Sequence, residues 1–279
     1  MTIDLSSSSN PSTVQAGLEI FTAARPLVND EQLPAFERLV GRTYTGKAKN
    51  LGWRELESDD SEIRLLRSRM WGTVLNLARE RDLDEYARDL TLKWLGDRTS
   101  IDPGMAAAIT RGVAGKADRE TYQAMRAGAE ALSDVTERGL ITRALGWVQN
   151  PELARETPPW ILTTTVPANE RLAVLFGMSF SEETARILWK FIQENYPAIT
   201  KRMPEGQMRD RGTVLIELSG GVCDPASRKD VQSFFSQRIG DLSGGTRTLA
   251  QTLEKIDLCI ARKAELGPQM ATYLNAMTP

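Results

Sequence analysis

Apolar residues recur along this chain at helical spacing almost without interruption, and period-two alternation is nearly absent. Ile63, Leu66, Met70, Val74 and Leu77 follow one another three or four positions apart, and Leu83, Tyr86, Leu90 and Trp94 repeat the pattern. Side chains so spaced share one face of a helix, which makes each segment an apolar stripe on a polar rod. Stripes of that kind are buried by packing helix on helix, so the spacing predicts an all-α fold. With 279 residues and 41% hydrophobic content, the chain has ample material for a core.

Helix starts carry a repeated signature, an acceptor side chain followed by proline at the first helical position, where a missing N–H costs nothing. Asp102-Pro103, Asn150-Pro151 and Asp224-Pro225 have it, and Ser179-x-x-Glu182 offers a capping box. Gly41, Gly96, Gly115, Gly177, Gly206 and the pairs Gly220-Gly221 and Gly244-Gly245 read as stops. About a dozen helices of roughly 10 to 20 residues result, joined by short turns, which is the pattern of an α-solenoid of stacked antiparallel pairs. No fixed period stands out, and the triplets Leu51-Gly52-Trp53 and Leu145-Gly146-Trp147 read as coincidence. Leu162 to Val166, between Pro158-Pro159 and Pro167, reads as a helix end and loop. The serine-rich stretch from Ser6 to Ser12 marks residues 1–12 as a disordered, frayed lead without a packing role, followed by one helical domain over 13–279.

Thirty-five basic residues stand against 37 acidic ones, for a net charge of −2. No positive excess is available for a nucleic-acid backbone or an anionic bilayer, so neither nucleic acid nor membrane is an expected partner. The start lacks the basic and apolar regions of a secretory leader, and no apolar run reaches the roughly 20 residues of a spanning helix. The chain contains no histidine. Imidazole triads, histidine-dependent zinc sites and the usual proton shuttle near neutral pH are thereby closed to it. Cys223 and Cys259 are its two cysteines, and they read as buried free thiols in a reducing cytoplasm. No cofactor is expected in this chain.

Adjacent acids at Asp59-Asp60 and Glu182-Glu183 fall in first turns of predicted helices, where negative charge complements the dipole, so they read as caps and not as a catalytic pair. Neither glycine pair extends to a phosphate-binding motif. Glu217 interrupts the apolar run Val214-Leu215-Ile216-Glu217-Leu218 and must face water, a cavity or a basic partner. Arg209 and Arg211 stand near the start of the same segment. The six tryptophans are spread along the chain and read as packing between helix layers.

Three segments then follow in order: Trp189-Lys190-Phe191-Ile192-Gln193-Glu194-Asn195-Tyr196, Gly220-Gly221-Val222-Cys223-Asp224-Pro225 with Val231-Gln232-Ser233-Phe234-Phe235, and Thr248 to Ile256. With Leu51-Gly52-Trp53 and the helix Ile63-Arg64-Leu65-Leu66-Arg67 before them, this resembles the C-terminal, ERAP-like domain of gluzincin zinc aminopeptidases of the puromycin-sensitive and aminopeptidase N type. The resemblance extends from about residue 14 to 275. It implies a superhelix of HEAT-like or armadillo-like helix pairs, a bowl that closes over a separate catalytic domain and helps bind and size-select peptide.

The resemblance also implies that catalysis resides elsewhere. The family's HExxH zinc motif and its G[AG]MEN loop do not occur here, so zinc is expected in an absent catalytic domain, and the partners implied are that domain, in cis or in trans, and a peptide. Some relatives carry an arginine, on the helix equivalent to 207–219, that meets a substrate carboxylate. Val214 occupies that position here, leaving Arg211 one turn earlier as a substitute, with Arg209 and Glu217 as neighbouring candidates for peptide binding. The chain enters the domain after its first helices, which suggests a truncated piece or an independently encoded short form. The alternative is a freestanding α-solenoid scaffold that presents an exposed apolar groove to another protein.

Overall fold

Local capping chemistry divides the chain into its helices. The computed structural model describes residues 2–202 and 211–277, and among these it holds fourteen α-helices and no strand. In chain order they are α1 (Thr2–Ser7), α2 (Pro11–Ala24), α3 (Leu33–Leu51), α4 (Ser61–Leu77), α5 (Arg81–Trp94), α6 (Pro103–Gly115) and α7 (Arg119–Ala131). There follow α8 (Val135–Leu145), α9 (Pro151–Trp160), α10 (Ala168–Met178), α11 (Glu182–Arg202), α12 (Arg211–Ser219), α13 (Pro225–Ser236) and α14 (Gly245–Ala276). The fold is all-α, as the periodicity predicts.

Asn150 accepts from the Glu152 and Leu153 N–H groups to open α9, and Asp224 accepts from Ser227 N–H to open α13. Asp102 also precedes α6, but its carboxylate accepts from Glu55 N–H at 2.7 Å. A fourth pair of the same kind opens α2, where Asn10 accepts from Thr13 N–H and Pro11 follows.

Residues 2–12 therefore differ from the frayed lead expected of residues 1–12. Helix α1 packs on α2 and α3, and the Lys47 ammonium donates to the carbonyls of Ser6 and Ser8 at 2.8 and 2.7 Å. Two further expectations are corrected. Gly41 lies inside α3, where an added Cβ would press on the Glu80 carboxylate, so clearance and not helix termination explains it. The cap of α11 is Ser181, whose Oγ accepts from Thr184 N–H, and Ser179 instead follows α10.

Two compact units are present, one of residues 1–116 with 265–279 and the other of residues 117–264. In the first, α4 packs on α2, α3 and α6. Phe21 meets Phe36 and Tyr44 edge-on, and Met70, Trp71, Leu75, Met105 and Ile109 fill the centre. Trp71 stacks on Trp53 with centroids 3.6 Å apart and donates its indole N–H to Gly52 O, so two of the dispersed tryptophans do meet. Buried Arg67 donates from Nε to Leu51 O at 2.9 Å and pairs through Nη1 with Asp59 at 2.6 Å. Asp60 caps α4 by accepting from Ile63 N–H.

In the second unit, α8 packs on α7 and α10, and α11 packs on α9, α10 and α12. At the α8–α10 contact the backbones touch, with an added Cβ on Gly177 only 2.7 Å from Gly146 Cα. Arg138 forks onto Glu170, donating from Nε and Nη2 at 2.9 and 2.8 Å. Helix α11 kinks at Asn195, whose φ of −123° departs from helix just before Pro197. Proline removes a donor and crowds the preceding turn. The Asn195 side-chain amide supplies a hydrogen bond to Phe191 O.

Candidate functional site

Helix α12 carries the residues singled out from the sequence. Leu215, Ile216 and Leu218 are fully buried, as are Thr213 and Ser219, while Val214 and Glu217 are half-buried. Positions 211, 214 and 217 are spaced by three and share one row of the helix, and at Val214 and Glu217 that row is half-buried. Glu217 thus falls on the wetter side of a buried segment, and Arg211 shares its row in the sequence register. The side chain of Arg211 and the whole of Arg209 lie outside the described residues.

A second feature of the same unit was not singled out from the sequence. Ile161, Leu162, Ala168, Leu172, Leu175 and Ile199 line a small recess between the end of α9, the start of α10 and the far end of α11, and two arginines, Arg171 and Arg202, border it. Arg171 Nε donates to Val166 O at 2.6 Å, tying down the loop after Pro158-Pro159. Burial, and after it the like charge of Arg202, hold the Arg171 guanidinium below its usual pKa. The recess holds about 20 Å³, room for about one water, so a carboxylate drawn to the two guanidinium groups would rest at its rim and not inside it.

Neighbouring charges serve the helices themselves. Glu182 pairs with Arg186 and Lys263, and Arg186 lies 3.7 Å from the Asp224 cap. Arg228 on α13 forks onto Asp257 on α14 at 2.8 and 3.0 Å. Beside that pair an open groove is lined by Leu253, Glu254, Leu258 and Ala261.

Cys223 and Cys259 are joined in a disulfide, with Cα atoms 5.6 Å apart. This corrects the expectation of free thiols: the turn after α12 is held against the middle of α14, within the reach that a disulfide requires. The argument for a reducing cytoplasm from unpaired cysteines goes with it. As donors for zinc the residues here do not fit. The chain has no histidine, both thiols are bonded to each other, and among the described residues no three Asp, Glu or Cys side chains gather as a metal would need. Among those residues, too, no helix is long and apolar enough to cross a membrane.

A family model described as the ERAP1-like C-terminal domain matches residues 2–258. The chain belongs to this family. The match takes in α1, which again places the first dozen residues within the domain. Aminopeptidase 2, mitochondrial, of Saccharomyces cerevisiae is 23% identical over 228 residues, covering 81% of this chain and 23% of that protein. Alanine/arginine aminopeptidase of the same yeast is 23% identical over 256 residues, covering 88% of this chain and 28% of that protein. The chain spans about a quarter of the length of these curated relatives.

Proposed function

We propose that this ERAP1-like domain is a non-catalytic part of a zinc aminopeptidase, an array of stacked helix pairs forming a concave lid that binds and size-selects peptide over a separate catalytic domain. The observation that carries this reading is a family match over residues 2–258 in a sequence without histidine or HExxH. The names of both yeast relatives support it. So does the packing of α4 on α2 and α6, and of α11 on α9, since helices two apart in the chain touch in stacked pairs.

In this reading zinc belongs to the other domain, where it supplies the polarised water, and the residues of this chain act on the peptide far from the scissile bond. Arg211 and Glu217 of α12, with Arg209 before it in the sequence, are the proposed polar contacts. Arg171 and Arg202 are proposed to hold a peptide carboxylate at the rim of their apolar recess. Binding energy gained there raises the rate only for peptides long enough to reach it.

The test supplies the zinc domain with and without this chain and measures cleavage of a graded peptide series. A shift in the preferred length is expected, and Arg171→Met with Arg202→Met should raise KM for long peptides more than for short ones. An identical length profile in both mixtures would overturn the proposal.

The freestanding scaffold is favoured by one observation, the stacking of Phe180 on Trp147 while Phe180 remains 66% exposed. It requires a natural reading frame with no HExxH upstream.

A further inference from the structure

Helix α13 is held to its surroundings by few non-covalent contacts. Of its 12 residues only Val231 and Phe235 are buried, whereas α6 buries eight of 13. Phe234 adds edge contacts to Trp189 and Tyr196. The Arg228–Asp257 fork joins α13 to α14 across a surface open to water, where such a pair is screened and contributes little. Phe235 also meets the rings of Trp189 and Tyr196, and a further tie is covalent. Cys223, one residue before the Asp224 cap, is bonded to Cys259 on α14, 36 positions later in the sequence, and the loop so closed contains all of α13.

The two sulfur atoms differ in access. Cys223 is 7% exposed, while Cys259 is half-buried, next to Asp257 and Leu258, which line the open groove along α14. An incoming thiolate therefore reaches the Cys259 sulfur more readily than its partner.

We infer that the Cys223–Cys259 disulfide is a redox-responsive latch on α13: oxidised, it holds α13 against α14, and reduced by a dithiol, it lets α13 open locally while the other helices stay folded. The exchange balances in two steps. One thiolate of the reductant attacks Cys259 Sγ, forming a mixed disulfide and expelling the Cys223 thiolate, which takes up a proton. The second thiol of the reductant then attacks its own sulfur in the mixed disulfide, frees Cys259 as a thiol and leaves as a cyclic disulfide. Two electrons and two protons pass to the protein. Closing a loop of this length biases the unopened state by roughly 10²- to 10³-fold on the chain-entropy model.

Hydrogen exchange read by mass spectrometry on the full chain, oxidised and after dithiothreitol, tests this. Amides of α13 should exchange roughly 10²-fold faster or more once the pair is reduced, with α4 and α6 unchanged. Cys259→Ser should show the fast α13 rate under both conditions, and if that variant fails to fold, the reduced wild-type chain carries the test alone. In glutathione buffers of graded ratio, the mass gain of two hydrogens should appear before any loss of helical signal. Unchanged exchange in α13, acceleration of all helices together, or a pair that resists reduction until the whole chain unfolds would each overturn the latch.

Discussion

Replacing Gly146 by alanine should destabilise the second unit, although every local argument favours the substitution. Gly146 has φ −69° and ψ −12°, which alanine adopts without strain. Trading glycine for alanine at such a position normally stabilises by about 0.4–1 kcal/mol, because the unfolded chain loses freedom. Packing opposes that gain. A Cβ at Gly146 would lie 2.8 Å from Gly177 Cα and 3.1 Å from the Val174 carbonyl carbon, and closer still to that carbonyl's oxygen. Carbon atoms pack comfortably at about 3.5–4.0 Å, so α8 and α10 must part by about 1 Å. The atoms in the way are backbone on both sides and cannot rotate aside. Ile141, Leu145, Val174 and Met178, all buried at this contact, would lose their fit. Overpacking of this kind costs about 1–3 kcal/mol; the middle of that range, about 2 kcal/mol, less the entropic gain of about 0.4–1 kcal/mol leaves a net loss of about 1–2 kcal/mol. For a unit of this size that corresponds to a drop in Tm of roughly 2–8 °C by circular dichroism. Gly177→Ala should behave alike, and the double variant should lose less than the sum, since both probe one gap. A Tm equal to or above that of the unsubstituted chain would refute the backbone contact.

Other expectations follow from buried polar groups. The Tyr44 hydroxyl is buried without a hydrogen-bond partner among the described residues, so Tyr44→Phe should leave stability unchanged or raise it by about 1 kcal/mol in urea unfolding; a loss of that size would reveal a partner. Burial pushes the Tyr44 phenol from 10.0 up to about 12. The folded chain thus keeps a proton that the unfolded chain gives up, and stability present below pH 10 is lost as pH rises toward 12, a loss that Tyr44→Phe should abolish. Asp59 titrates below its usual 3.8 because the Arg67 side chain, then the Leu56 N–H, hydrogen-bond its charged form. Stability from that carboxylate is complete above pH 3.8 and falls as acid carries the pH through the lower folded value; Asp59→Asn should flatten this acid limb, and an unaltered slope would count against the pairing. Glu130 accepts from the Trp160 indole N–H at 2.7 Å and from Thr164 at 2.8 Å. Glu130→Ala should cost about 1–3 kcal/mol by stranding the buried indole donor, and a change under 0.5 kcal/mol, about the scatter expected at the surface, would show that water replaces the carboxylate.

Helix class and most boundaries were legible because they are written in local chemistry. Stripe spacing, acceptor-proline starts and glycine stops each act within a few residues. Where the reading of boundaries failed, a local signal was present but outweighed. Asn10-Pro11 carries the same start signature as Asn150-Pro151, yet the serines before it suggested a frayed lead, and α1 is fixed instead by the Lys47 ammonium from α3. Leu145-Gly146-Trp147 looked like a chance triplet because nothing near it in sequence requires a glycine. The requirement comes from Gly177, on another helix. For the candidate site, α12 and the half-buried place of Glu217 followed from one polar residue in an apolar run. The recess bordered by Arg171 and Arg202 did not, since its walls come from three helices whose apolar residues are ordinary core residues taken singly.

The cysteines show why such failures share one cause. Two cysteines in a chain of this length argue statistically for free thiols, whereas pairing depends on whether the turn after α12 arrives within about 4.4–6.8 Å of α14, Cα to Cα. That approach, 5.6 Å here, is a product of helix packing that no spacing rule along the sequence contains. Features arising between helices were missed, and these include the glycine contact, the arginine recess and the disulfide. In an all-helical fold a recess is also made between helices, so the residues that line the one bordered by Arg171 and Arg202 belong to the same poorly legible class. Substitutions that test the function are therefore chosen from contacts across helices, such as Arg171 with Arg202, in preference to the conspicuous residues of any one segment.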